Sequence, residues 1–114
     1  MLLPRHGAGP IREQEMSEQE NKEDQLFWQL SNSLINHTNN EGRDSGATPS
    51  LAAAALLFAA ARFNAHLLAR NAENAEQFRD IQAEGMAHFK TQFEKMLTDN
   101  IRDYEQNFDK LANG

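Results

Sequence analysis

The sequence predicts an all-α fold, a three-helix antiparallel bundle with a long C-terminal helix. Three observations carry that reading. Alanine is the commonest residue, valine is absent and isoleucine is scarce, a balance that favours helix over sheet. Apolar residues recur at three- and four-residue steps in three segments, and nowhere does a run alternate with a β period. Asparagine, glycine and proline gather between those segments, where turns are needed.

The first helix is expected over about Gln19 to Asn40. Leu26, Phe27, Leu30, Leu34 and Ile35 form one amphipathic stripe, and Asn39-Asn40-Glu41-Gly42 reads as a stop, with Gly42 in the left-handed C′ position. A loop, Arg43 to Ala47, follows. The second helix starts at Thr48, a capping residue, with Pro49 at the first helical position, where its missing N–H costs nothing. It runs to about Arg70. Leu51 to Ala61 is apolar all round, and a helix apolar on every face is expected to be covered on every face. This reading makes it the central helix, with the other two flanking it. Arg62 ends the run well short of the ~20 apolar residues that a bilayer span needs, so the segment reads as buried and not as membrane-spanning.

Arg70 to Ala75 reads as a turn. The third helix then runs from about Ala75 to Leu111. Phe78, Ile81, Gly85, Phe89, Phe93, Leu97, Ile101, Tyr104, Phe108 and Leu111 follow a mean step of about 3.7 residues and mark one face. Lys90–Glu94 and Lys95–Asp99 are spaced for surface ion pairs. At ~1.5 Å per residue this helix is roughly 55 Å long, longer than the ~34 Å diameter of a compact domain of this size. Either Gly85 breaks it or marks a close helix contact, or its far end seeks a partner. A homo-oligomer is therefore expected.

Residues 1–16 read as a disordered N-terminal extension to a helical domain at 17–114. Two of the three prolines and two of the six glycines lie in that stretch, and the composition changes at Met16, which reads as the natural start. Leu2-Leu3 is too short for a signal or anchor segment, so a cytoplasmic location is the expectation. Net charge is −6, which speaks against general nucleic-acid binding or binding to an anionic membrane. Nucleic-acid binding would require Arg62, Arg70, Arg79 and Lys90 to form one basic patch. Cysteine is absent, which excludes disulfides, thiolate metal sites and cysteine nucleophiles.

Around Ala59-Ala60-Ala61-Arg62-Phe63-Asn64-Ala65 the sequence resembles a family of short, all-helical bacterial proteins classed only as a domain of unknown function. Phe27-Trp28, Asn32, Ile35-Asn36, Met96-Leu97, Asn100, Asp103-Tyr104 and Asn107-Phe108-Asp109 extend the similarity over about Gln25 to Lys110. The stretch before Met16 has no counterpart in that pattern. The resemblance implies an all-helical fold and brings no activity, cofactor or catalytic residue.

The candidate sites are read from residue chemistry. Arg62, Asn64 and His66 are polar residues in the most apolar helix. A buried guanidinium needs a partner, and Asp99, Asp103 and Glu94 are the expected carboxylates. A structural ion pair is the preferred reading, an anion pocket the other. Asn32, Asn36 and Asn40 lie at four-residue spacing, either bonded across to Asn64 and Arg62 or facing water. Phe27, Trp28, Tyr104 and Phe108 are the candidate interaction anchors. Glu84 and His88 sit four apart but supply only two ligands, and no nucleophile motif or phosphate loop occurs, so no catalytic residue, metal or cofactor is assigned. Protein association, self-association included, is the expected function. A small-molecule-binding or catalytic pocket at Arg62 and Asn64 is the alternative.

Overall fold

A computed structural model describes the backbone of residues 10–112 and the side chains of residues 17–112. It is all-α: α1 (Pro10–Ser45), α2 (Pro49–Arg70), α3 (Ala75–Gln106) and α4 (Phe108–Leu111), with no strand among the described residues. The chain divides into two compact units, and the boundary between Ala59 and Ala60 falls inside α2. The first unit pairs α1 with the first half of α2. The second carries the rest of α2 with α3 and α4.

In the first unit, α1 is longer than its apolar stripe predicts. It starts at Pro10, so residues 10–16 of the expected extension carry helical backbone, while residues 1–9 lie outside the described residues. It also continues through Gly42 to Ser45. The stop is Gly46, whose φ of 77° is the left-handed conformation that glycine adopts without strain. Its N–H donates to the carbonyl of Arg43 at 3.2 Å, and that of Ala47 donates to the carbonyl of Gly42 at 2.9 Å. These two bonds form a Schellman motif. Gly42 serves a different purpose: a Cβ built there would lie 3.5 Å from the Cβ of Ala52, ordinary contact between α1 and α2. The start of α2 is as the sequence predicts. Thr48 Oγ1 accepts from the N–H of Leu51 at 3.2 Å, and Pro49 is the first helical residue.

In the second unit, Asn74 caps α3, its side chain accepting from the N–H of Gln77 at 2.8 Å. The side chain of Gln77 reaches back to accept from the N–H of Glu73, a variant of the capping box. Gly85 does not break α3, which is continuous for 32 residues. It marks a close helix contact instead: a Cβ there would stand 2.7 Å from Cδ1 of Leu68 on α2. The helix ends earlier than its periodicity predicts. Asn107 leaves the helical conformation at φ −122° and ψ 34°, while its N–H still donates to the carbonyl of Asp103 at 3.0 Å and its Nδ2 donates to the carbonyl and Oδ1 of the same residue at 3.1 Å. Phe108–Leu111 forms the separate turn α4.

The expected all-round covering of α2 is overturned. None of its residues is buried, and Leu51, Leu57 and Phe58 are 61%, 54% and 69% exposed. The reason is geometric. Within a unit, one neighbouring helix covers one face of the α2 segment, in which only Ala52 and Leu56, or Asn64 and Leu68, reach even half burial. No hydrophobic residue is buried among the described residues, and the helices of each unit make a seam in place of a core.

Candidate functional site

Within the second unit, Arg62, Asn64, Asp99 and Asp103 make no hydrogen bond or ion pair with one another among the described residues. Arg62 is exposed and makes no ion pair among the described residues. The carboxylates expected to receive it lie on α3 in the same unit, yet they are engaged locally or open to water. Asp99 accepts from Lys95 Nζ at 2.9 Å, one helical turn away, and Asp103 accepts from Asn107. Exposure removes the reason for a partner, because a guanidinium that keeps its water carries no desolvation penalty. Asn64 turns back on its own helix, its Nδ2 donating to the carbonyl of Ala60 at 2.7 Å. Asn100 does the same to Met96, also at 2.7 Å. In the first unit, Asn32 and Asn36 are exposed, and Asn40 accepts from Arg43 at 2.6 Å. The asparagines thus serve as backbone caps and solvated surface.

The first unit contains an open groove of about 440 Å³ between α1 and α2, lined by residues that include Leu34, His37, Glu41, Leu51, Ala55 and Leu56. The lining is mostly apolar, with His37 and Glu41 one turn apart on α1. No group of three or more histidine, aspartate or glutamate side chains that could hold a metal ion occurs among the described residues. The sequence reading missed this groove. Its signal is present in the small residues Gly42, Ala52, Ala55 and Ala59, which leave space beside a helix contact.

Of the four aromatic candidates Phe27 is half-buried and the other three are exposed. Phe27 and Trp28 pack edge to face with ring centroids 5.0 Å apart, and Trp28 remains 60% exposed. Tyr104 and Phe108 lie in the second unit, also exposed.

The apolar residues of α3, predicted as a single face, divide into two. A 3.7-residue step drifts round a helix of 3.6 residues per turn, so Phe78 and Phe108 end roughly a third of a turn apart. Phe78, Ile81, Gly85, Phe89 and Met96 form the half-buried face, with Gly85 on Leu68. Met86, Phe93, Leu97, Ile101 and Tyr104, with Phe108 just beyond on α4, form the second face, each about half exposed or more. Of the two surface pairs predicted on this helix, Lys95–Asp99 forms and Lys90–Glu94 does not, among the described residues.

A family model described as Protein of unknown function (DUF3144) matches residues 27–105. The chain belongs to this family. The match starts at Phe27 and takes in both helix–helix contacts, at Gly42 and Gly85, and the open face of α3 as far as Tyr104. It is narrower than the resemblance read from the sequence and leaves Asn107-Phe108-Asp109 outside. No curated protein and no solved structure matches the chain.

Proposed function

We propose that this protein works by protein–protein association, self-association included, and that association supplies the covering its helices lack. One observation carries this reading: most large apolar side chains of both units are exposed and none is buried among the described residues. Contiguous apolar surface on a water-soluble chain is stabilised when a partner covers it. In the associated state Phe27, Trp28, Tyr104 and Phe108 serve as anchors. A cytoplasmic setting belongs to the same reading. Sedimentation and thermal unfolding across a micromolar concentration series test it. The expected result is a concentration-dependent assembly whose midpoint temperature rises with protein concentration. A monomer with a constant midpoint and no captured partner would overturn it.

The length and composition of α2 favour a second reading. Its mean hydropathy reaches 1.5, enough by composition to cross a membrane. Arg62, Asn64 and His66 weigh against insertion. An arginine near the centre of a span costs ~2.5–3.5 kcal/mol, while each leucine or phenylalanine returns only ~0.3–0.6. Flotation of the purified chain with anionic and zwitterionic vesicles separates the two readings, with the protein expected to stay in the unbound fraction. A small-molecule role for Arg62 and Asn64 draws less support, because neither residue lines the groove described above.

A further inference from the structure

We infer that the open face from Met86 on α3 to Phe108 on α4 seats a second copy of this chain laid antiparallel across it. The inference rests on the association reading above and names the surface and the occupant.

Three observations select this face and this occupant. The first is extent. Five large apolar residues, Met86, Phe93, Leu97, Ile101 and Tyr104, follow one side of α3, Phe108 stands just beyond on α4, and all six are 48–61% exposed. At roughly 200 Å² for a large side chain, that is about 600 Å² of open apolar surface per copy. A symmetric pair then buries about 1,200 Å², the lower edge of a stable interface before any flanking residue is counted. The second is independence from the internal contact. The seam with α2 uses the other face of α3, through Gly85 and Leu68, so a second copy can bind without opening it. The third is charge. Lys90 lies within the stripe and Glu105 at its edge, both on the same side of its midline and fifteen residues apart, and neither makes an ion pair among the described residues.

Those charges fix the direction. In an antiparallel pair of helices, like flanks meet. A two-fold axis between Leu97 and Thr98 therefore brings each Lys90 level with Glu105 of the other copy, twice per dimer. The same axis sets Leu97 against its counterpart and places Phe93 level with the interval between Ile101 and Tyr104. A parallel pair instead sets each Lys90, close to the middle of the stripe, level with Lys90 of the other copy. Like charges so placed repel.

The test uses the full chain, with sedimentation for assembly and circular dichroism for helix content. Leu97→Asp, at the axis in both copies, is expected to weaken the dimer roughly 100-fold with helix content unchanged. Lys90→Glu and Glu105→Lys alone are each expected to weaken it about ten-fold, and the double exchange K90E/E105K to restore it. These two positions are exposed, so they keep the test valid if Leu97→Asp loses helix. A wild-type monomer at every concentration overturns self-association and this inference together. A wild-type dimer that neither Leu97→Asp nor the charge variants weaken overturns this inference alone. A dimer weakened further by the double exchange overturns the antiparallel direction.

Discussion

Each unit of this protein has one glycine where two helices touch, and the two glycines work differently. At Gly42 the neighbour is another small side chain, Ala52, and a Cβ would sit at an ordinary 3.5 Å. At Gly85 the neighbour is the end of Leu68, and a Cβ would approach to 2.7 Å. The first contact is small against small and lies in the same helix pair as the open groove. The second is a large side chain received by a vacancy, a tighter fit that fixes which face of α3 is turned inward. A glycine in a helix costs about 1 kcal/mol relative to alanine, so each must be justified by what it lets approach. Only Gly85 has that justification in full.

Substitutions at these and neighbouring positions sharpen the contrast. Gly85→Leu is expected to have the largest effect, a loss of about 2–3 kcal/mol as Leu68 is driven from its seat. Thermal unfolding at fixed protein concentration measures it, and a Leu68→Ala partner substitution should recover part of the loss. A Gly85→Leu protein as stable as wild type would break the distinction between the two contacts. Gly46→Ala comes next, at about 1–2 kcal/mol, because its φ of 77° is strained for any residue with a Cβ. Thr48→Ala and Asn74→Ala each remove one helix cap, one per unit, and should cost about 1 kcal/mol apiece in the same measurement. Gly42→Ala is the smallest and has the opposite sign. It should stabilise by about 0.5–1 kcal/mol, since the contact tolerates a methyl group and the helix prefers one.

The sequence was most informative where a residue acts on its own backbone. Thr48 and Pro49 marked the start of α2, and the Asn71–Asn74 turn marked the start of α3, because capping depends on neighbours within four residues. Two stops differ from the expectation. Gly42 and Gly46 can both take the C′ conformation, and the helix stops at the second, where Gly46 has φ 77°. The third helix is expected to run to Leu111, since apolar periodicity carries no sign of the backbone change at Asn107. The covering of α2 was not legible in kind. An apolar helix reads as one to be shielded, yet its own sequence does not name the residues that would lie against it. The ion pair expected of Arg62 failed with it, because Arg62 needed a carboxylate only if α2 was buried.

The division of the chain inside α2 has a consequence for how it opens. Each unit has a helix contact of its own, at Gly42 and at Gly85, so each can open by itself. The amides beside those contacts should exchange with solvent more slowly than those of the exposed turns around Ala59 and Ala60.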